Sequence, residues 1–161
     1  MSIVTPSHVR ATVELLRGNA VAHSGIDALV VQLHTLTPAA RIDTGWLSAW
    51  DKPDGRIFNA ITVRGDGGLG VEPMGVRSQG RVLIRCWSTT YFVANQIAHL
   101  VQQILYPVYP DWTGFVAANT VVDGFTGVSD PLEYQEPNHE FQRAMQMTAN
   151  LWYRRIARVA A

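Results

Sequence analysis

The sequence predicts a single α+β domain spanning residues 1–161, with a mainly antiparallel sheet, helices packed on one face and a long C-terminal β-hairpin. Two observations carry this prediction. A strand pattern at Arg81–Trp87 runs directly into an amphipathic helix pattern at Thr89–Leu105. A regularly alternating segment, Phe141–Arg154, predicts a second long strand. A chain of this length can bury a substantial hydrophobic core.

The first two elements are predicted helices. Pro6–Arg17 begins at a capping residue, Thr5 or Ser7, and ends at Gly18. Gly25–Leu36 forms the second helix, although its pair of adjacent valines leaves a strand open. The apolar faces of the two helices are formed by Val9, Val13 and Leu16 and by Ile26, Leu29, Val30 and Leu33.

The middle of the chain combines irregular segments with one strand. Arg41–Gly55 is predicted to be irregular, and Ile57–Arg64 alternates as a strand does. Gly65–Gly80 contains six glycines and one proline, which predicts a mobile loop or a loose hairpin tip. Its start matches the glycine spacing of a dinucleotide site, but no helix pattern opens at the last glycine to hold a pyrophosphate. We therefore expect this segment to adapt to a neighbouring molecule.

The strand and helix after this loop have clear faces. In the strand, Val82, Ile84 and Cys86 alternate with Arg81, Leu83, Arg85 and Trp87. In the helix, the apolar stripe consists of Ala94, Ile97, Ala98, Val101 and Ile104. Pro107 is expected to stop this helix, and the stripe is expected to cover the sheet.

The C-terminal third is predicted to be strands. Phe115–Phe125 has strand character with an interruption at Asp123–Gly124, and Leu132–Gln135 is expected to pair with Phe141–Arg154 as a hairpin. At about 3.3 Å per residue the last strand would extend roughly 40 Å. Its apolar face carries Phe141, Met145, Met147, Ala149, Leu151 and Tyr153.

The composition favours a subunit of an assembly. Charged residues make up 16% of the chain, against about a quarter in typical domains, and the formal net charge is zero. A neutral, weakly charged surface favours association. The basic residues are almost all arginines, which suit interfaces, but without a basic excess we expect no stable binding of nucleic acid.

The residues indicate no catalytic, metal or cofactor site, so the chain is not expected to be an enzyme. Cys86 is the single cysteine, which excludes an intramolecular disulfide. The five histidines have no metal-ligand spacing, and no serine stands in the motif of an activated nucleophile. The N-terminus lacks the pattern of a signal peptide, no apolar run is long enough to span a bilayer, and we expect a cytosolic product.

Five tryptophans are more than the average frequency predicts, and two interpretations remain for them. They cap the ends of the core, or they contact another subunit, as tryptophan and arginine do in desolvated interfaces. The predicted interface residues are Gly67, Gly68, Arg77, Gln96, Gln103, Trp46, Trp50 and Trp152.

The passage Gly80–Pro107 resembles the middle of phage tail-terminator and tail-completion proteins, small α/β proteins that assemble as rings at the head-proximal end of a phage tail. In that family a strand ending in an aromatic residue and a serine, here Trp87 and Ser88, enters a helix dominated by Ala, Ile, Leu and Gln. The order of elements over most of the chain agrees with this pattern.

The resemblance implies a structural virion protein that forms a homo-oligomeric ring, commonly a hexamer, on the last ring of tail-tube protein. Such a ring ends polymerisation of the tube and then docks to the head connector or stopper protein. It would also meet the sheath protein if the tail is contractile. DNA would pass through the bore without specific binding, and no membrane contact is expected. The subunit would be made in the host cytoplasm and located in the virion.

Two segments depart from the family pattern, namely Arg41–Gly55 with its two tryptophans and the long loop Gly65–Gly80. They leave open another neck or connector ring protein, such as a head-completion or stopper protein. Two alternatives belong to other classes. One is an α+β domain that binds a small ligand in a pocket lined by tryptophans, and the other is an enzyme with a dispersed site of buried titratable groups.

Overall fold

A computed structural model describes residues 7–22, 24–44, 59–67, 70–71, 78–106, 114–134 and 143–155. Within these ranges the chain forms three α-helices, a single turn of 3₁₀ helix at Ala39–Arg41 and a sheet of eight strands. The helices are α1 (His8–Leu16), α2 (Ser24–Leu36) and α3 (Tyr91–Leu105). The strands are β1 (Ile42–Thr44), β2 (Ala60–Gly65), β3 (Gly70–Val71), β4 (Ser78–Ser88), β5 (Phe115–Ala117), β6 (Thr120–Val128), β7 (Leu132–Tyr134) and β8 (Arg143–Arg155). The α+β prediction is confirmed.

The sheet is built around two long central strands. Its order is β1-β2-β4-β8-β6-β5, with β3 also paired to β4 and β7 to β8. β4 and β8 pair antiparallel along all 11 residues of β4, from Ser78 opposite Tyr153 to Ser88 opposite Arg143. All the other pairings of named strands are antiparallel except β1 with β2, so the sheet is mainly antiparallel as predicted.

The core lies between one face of the sheet and the helices. The predicted alternation of β4 is confirmed, because Val82, Ile84 and Cys86 are completely buried on the helix side. On α3 the predicted apolar stripe is also completely buried: Ala94, Ile97, Ala98, Val101 and Ile104. Helix α1 packs on five strands, α3 packs on β4, β6 and β8, and α2 packs against α3. Hydrophobic burial of this two-layer interface is the main stabilising contribution to the fold.

Side-chain capping determines where α1 and α3 begin. The hydroxyl of Ser7 accepts a hydrogen bond from the backbone N–H of Arg10 (3.1 Å), so Ser7 caps α1. The hydroxyl of Thr90 accepts from the N–H of Val93 (3.2 Å) and begins α3 two residues later than the start predicted. These bonds satisfy N–H groups that have no partner within the helix. The pair of adjacent valines in α2, for which the sequence left a strand possible, is helical.

Strand β1 was not predicted, because it lies where the sequence indicated irregular structure from Arg41 onward. It pairs in parallel with β2. Its three residues are too few for an alternating pattern to be recognised in the sequence. Its position is fixed by contacts with α1. The Nε of Arg17 donates to the carbonyl oxygen of Ile42 (2.7 Å), and Asp43 pairs with Arg10 (3.3 Å) and Arg17 (3.6 Å). These contacts join residues far apart in the chain.

The single strand predicted at Phe115–Phe125 is a hairpin, and that part of the prediction was wrong. The chain reverses at Ala118 and Asn119, whose φ angles of 48° and 57° match the left-handed turns that join antiparallel strands. An Ala-Asn turn lacks the glycine that usually signals such a reversal. The interruption predicted at Asp123–Gly124 is a bulge instead, because the register of β6 against β8 shifts between Val122 and Gly124.

The glycine-rich segment is less open than predicted. Gly70 pairs with Gln79, Val71 pairs with Ser78, and β4 begins at Ser78 rather than at Arg81. The hairpin of β2 and β4 therefore extends into the segment that was expected to be a loop. Residues 68–69 and 72–77 lie outside the described residues. Backbone pairing with a long neighbouring strand outweighs the low strand propensity of glycine here.

The C-terminal hairpin forms with its first arm divided in two. β6 pairs with the second half of β8, from Thr120 opposite Arg155 to Val128 opposite Ala149, and β7 pairs with the first half. A short connection at residues 129–131 separates the two parts. The 13 residues of β8 span about 43 Å, which makes it the longest described strand.

We expect α3 to stabilise the fold mainly through the packing of its apolar face on the sheet. Ile97→Ala and Val101→Ala should each lower the free energy of unfolding by on the order of 1–4 kcal/mol, because each leaves a cavity in a closed core. Gln96→Glu and Gln103→Glu alter exposed positions of the same helix and should leave it nearly unchanged. Denaturation in urea measures the free energy of unfolding of all four variants. Tolerance at Ile97 and Val101 with unfolding by the glutamine variants would contradict the packing.

Candidate functional site

The predicted interface residues that the structure describes fall on two separate surfaces. Gln96 and Gln103 are exposed on the outer side of α3. Gly67 and Trp152 both border β4, since the carbonyl oxygen of Gly67 accepts from the N–H of Arg81 (3.0 Å) and Trp152 pairs with Gln79. The other four predicted interface residues lie outside the described residues: Gly68, Arg77, Trp46 and Trp50.

The outer side of α3 is the first surface. None of its 15 residues is Asp, Glu, Lys or Arg. Five exposed side chains follow one another at intervals of four and three residues, and we call them the α3 stripe: Phe92, Gln96, His99, Gln103 and Tyr106. The stripe begins and ends with exposed aromatic rings, since Phe92 is 74% and Tyr106 60% accessible to solvent.

A helix that packs on a core normally presents charged residues to water. The α3 stripe presents amides, an imidazole and two large rings instead, which is the chemistry of a surface that contacts another molecule. The sequence-based list of predicted interface residues contains Gln96 and Gln103 but not Phe92, His99 or Tyr106. The signal that was available is the 4-3-4-3 spacing of uncharged residues on the side of the helix opposite its apolar face.

A groove adjoins the C-terminal end of the α3 stripe. It has a volume of about 440 Å³ and lies between α3 and β6. The described residues that line it are Gln102, Gln103, Tyr106, Thr126, Gly127 and Val128. The register of β6 shifts between Phe125 and Gly127, and a bulge of this kind bends the strand locally.

The helix-free face of the sheet is the second surface, which we call the sheet outer face. Strand alternation and register place its polar residues there: Arg64, Arg81, Arg85, Gln146, Thr148 and Asn150. Two arginines are held by amides of the neighbouring strand. The Nε of Arg81 donates to Oδ1 of Asn150 (3.1 Å), and the Nε of Arg85 donates to Oε1 of Gln146 (3.0 Å).

The sheet outer face also carries an apolar cluster, so it is only partly polar. Trp87 is buried with Ala60 and Ala144, and Tyr134 packs against them with its ring perpendicular to the indole. The indole N–H of Trp87 donates to the hydroxyl of Thr62 (3.0 Å). Trp152 is half-buried on the same face.

The sheet outer face has a local excess of positive charge. Among the described residues Arg64, Arg81, Arg85 and Arg154 lie there, with Asp66 3.9 Å from Arg81 and Asp123 3.3 Å from Arg154. Exposed ion pairs of this length contribute little to stability. The exposed side chains of Arg64 and Arg81 can therefore also donate to acceptors on a partner.

The described residues contain no group of three or more His, Cys, Asp or Glu side chains arranged to hold a metal ion. Cys86 is completely buried, and burial raises the pKa of its thiol. A protonated, enclosed thiol cannot act as a nucleophile, so Cys86 fills space in the core.

His8 occupies an enclosed position between α1 and the sheet. Its ring stacks on Tyr153 at a centroid distance of 5.0 Å, and it lies so close to Gly80 that a side chain there would clash with it. Among the described residues its Nε2 has no hydrogen-bond partner. Burial lowers the pKa of His8, and a hydrogen bond to the backbone of Arg81 partly opposes that shift. One imidazole without an acid or nucleophile beside it is a packing element.

Two comparisons bear on identity. No family model matches the chain, and no curated protein matches its sequence. In the part of the chain that the structure describes, none of the helices has the length and apolar character needed to cross a bilayer.

We expect Cys86 to resist alkylation in the folded protein. Its thiol is buried and its raised pKa keeps it protonated at neutral pH. Iodoacetamide should label it only after unfolding in urea, as followed by intact mass. Rapid stoichiometric labelling of the native protein would contradict this assignment.

We expect His8 to make the fold sensitive to acid. The folded state binds the proton of His8 less tightly than the unfolded chain does, so stability is complete above the unfolded pKa of about 6.5 and falls as pH decreases below it. His8→Phe keeps the ring but removes the proton site. The decrease in melting temperature from about pH 7.5 to about pH 5.5 should be smaller in this variant than in the wild-type protein. An identical loss in both proteins would contradict the assignment.

Proposed function

We propose that this protein is a structural subunit of a phage tail, of the tail-terminator class, and that it forms a homo-oligomeric ring at the head-proximal end. The observation that carries the proposal is the α3 stripe, an exposed helix face without a charged residue and with an aromatic ring at each end. The strand and helix on which the resemblance rests are the same elements, β4 and α3, that form the centre of the fold.

The two surfaces lie on opposite sides of a two-layer domain. The α3 stripe is on the outside of the helix layer, and the sheet outer face is on the other side of the sheet. When one surface of a subunit contacts a different surface of the next, the contact is heterologous and a ring forms if the rotation closes. A subunit with two unlike surfaces back to back suits this arrangement.

The chemistry of the two surfaces is complementary. The amide oxygens of Gln96 and Gln103 are acceptors, and Arg64 and Arg81 on the sheet outer face are donors. Arginine also stacks on aromatic rings such as Phe92. Neither surface brings like charges together, so contact between them carries no repulsion.

The resemblance supplies the remaining roles as part of this proposal. The ring, commonly of six subunits, would stop growth of the tail tube and then receive the head connector or stopper protein. Sheath protein would be a further partner in a contractile tail. A subunit of zero formal net charge suits a passage for DNA, because a strongly basic bore would retain the phosphates. The proposed role is structural and needs no cofactor.

Imaging by negative stain tests the proposal directly. The purified protein should form closed rings with a central hole. Particles without rings at every concentration would contradict the proposal, and saturable binding of a small ligand with a rise in melting temperature would then favour the ligand-binding alternative.

Introducing a charge of either sign at Gln96 should show which surface the α3 stripe contacts. Gln96→Arg should reduce the population of rings, because it would face the arginines of the sheet outer face, whereas Gln96→Glu should not. Gln32→Arg, an exposed substitution on α2, is the matched control and should leave the rings intact. All three should keep the wild-type melting temperature. Equal loss of rings in Gln96→Arg and Gln96→Glu would exclude contact with the arginines.

A further inference from the structure

The start of α1 lies over a depression in the helix-facing side of the sheet. Gly65 of β2 and Gly80 of β4 occupy positions on that side, so neither strand presents a side chain there. The imidazole of His8 fills the space that they leave. A methyl group at Gly80 would lie 2.7 Å from its Cδ2, and one at Gly65 would lie 4.0 Å from its Nε2. The ring of Tyr153 in β8 stacks on the imidazole at a centroid distance of 5.0 Å, and we call these two glycines and Tyr153 the His8 pocket.

The His8 pocket accepts a neutral imidazole but not a charged one. A protonated imidazole carries two N–H donors. The Nε2 of His8 is enclosed and has no hydrogen-bond partner among the described residues, so its proton would be left unpaired in a desolvated position. His8 is also the first residue of α1, where the positive end of the helix dipole disfavours a cation. The lowered pKa of His8, caused mainly by burial, agrees with these contacts.

The charged groups of the elements around the His8 pocket do not offset this cost. Four described carboxylates of α1, β1, β6 and the end of β2 each pair with an arginine: Glu14, Asp43, Asp66 and Asp123. The arginines of β2 and β4, together with one of β8, lie on the sheet outer face: Arg64, Arg81, Arg85 and Arg154. β5 contains no charged residue. Tyr153 is the titratable group that faces His8, and Arg155, which pairs with Thr120 at the end of β8, would add a cation rather than an acceptor.

The first turn of α1, residues 7–10, is less buried than most of the helix after it. Its residues are half-buried, whereas residues 11–13 and 15–16 are buried almost completely. Ser7 makes the hydrogen bonds that begin the helix. Its N–H donates to the hydroxyl of Thr120 (3.0 Å), and its own oxygens accept from the N–H groups of Arg10 (3.1 Å) and Ala11 (2.9 Å). A segment with few buried apolar contacts opens at a lower free energy than the whole domain does.

We propose that His8 is an acid-sensitive latch, whose protonation releases the first turn of α1 from the sheet while the rest of the domain stays folded. In the released state the imidazole reaches water, which provides acceptors for both N–H groups. The proton binds the released state more tightly than the docked state, so acid shifts the population towards release. The latch belongs to a single chain and does not rest on the proposed function.

Release would expose a surface that is enclosed in the docked state. Gly65, Gly80 and the stacked side of the Tyr153 ring would become accessible, and the hydroxyl of Thr120 would lose the N–H that it binds. The latch thereby couples pH to access to one end of the helix-facing side of the sheet.

Linkage limits the size of the effect. With a pKa of about 6.5 for the released imidazole and a docked ring that stays neutral, a decrease from about pH 7.5 to about pH 5.5 raises the equilibrium constant for release about tenfold. Any protonation of the docked ring makes the change smaller. We therefore expect a change of several-fold, with about tenfold as its upper bound.

Hydrogen exchange measured by mass spectrometry locates the effect. After correction for the intrinsic pH dependence of exchange, the amides of residues 7–11 should lose several-fold protection from about pH 7.5 to about pH 5.5. The ladder of β4 with β8 should keep its protection. An equal loss along the whole chain, or no loss at residues 7–11, would overturn the latch.

Two histidine variants separate His8 from other proton sites. His8→Phe keeps a ring in the His8 pocket but cannot be protonated, so the protection of residues 7–11 should no longer depend on pH. His34→Gln removes the imidazole at the opposite end of α1, where the Nε2 of His34 contacts the carbonyl oxygen of Leu16 (2.9 Å), and should leave that pH dependence unchanged. The wild-type pH dependence in His8→Phe would show that another group is responsible and would overturn the latch.

Two glycine variants test the fit of the ring without a change of pH. Gly80→Ala should release the first turn already at about pH 7.5, because its methyl group would overlap the imidazole. Gly65→Ala is the matched control, since its methyl group would lie in ordinary contact, 3.6 Å from Val9 and 4.0 Å from His8, and the turn should stay docked. His8→Ala combined with Gly80→Ala should restore docking, because the methyl group then occupies the space of the ring. Wild-type protection of residues 7–11 in Gly80→Ala would overturn the latch, since the ring could then move while the turn stays docked.

Discussion

The pairing of β4 with β8 organises the domain. Their ladder runs the full length of β4 and brings two alternating patterns into register, so that Val82, Ile84 and Cys86 lie on one face with Met145, Met147 and Ala149 of the neighbouring strand. A slip of one residue would expose this whole set to water. Every other strand extends this pair, and α1 and α3 dock on the apolar face that it creates.

This constraint also explains where the candidate function lies. Among the described residues the interior is filled mainly by apolar side chains, with the single cysteine and an enclosed imidazole, and neither of these two lies beside a described group that would make it reactive. The distinctive chemistry is on the outside, where α3 has amides and aromatic rings without charges and the sheet outer face has arginines, a tryptophan and amides. Both surfaces follow from the same elements, since α3 and β4 each have one face in the core. The other face of α3 is exposed, and the other face of β4 carries exposed Arg81 beside buried Leu83 and Trp87.

Elements with strong periodicity were predictable. α3 carries an unbroken apolar stripe, and β8 carries an alternation that only Arg143 interrupts. The structure confirms the buried side of each, although Phe141 lies outside the described residues. The errors concern elements that depend on partners distant in sequence or on unusual turn residues. β1 owes its place to Asp43 and the arginines of α1, and the turn at Ala118–Asn119 lacks a glycine signal. The interface role of Gln96, Gln103, Gly67 and Trp152 stays a prediction. The groove could not be predicted from the sequence, because it requires α3 and β6 to meet at a bulge.

The mass of the assembly in solution tests the central claim, that this chain works through contacts between copies, most directly. Native mass spectrometry over a concentration series should show a closed ring, commonly of six 17.8 kDa subunits, whose population rises with concentration. Masses of a single 17.8 kDa subunit at every concentration would contradict the account.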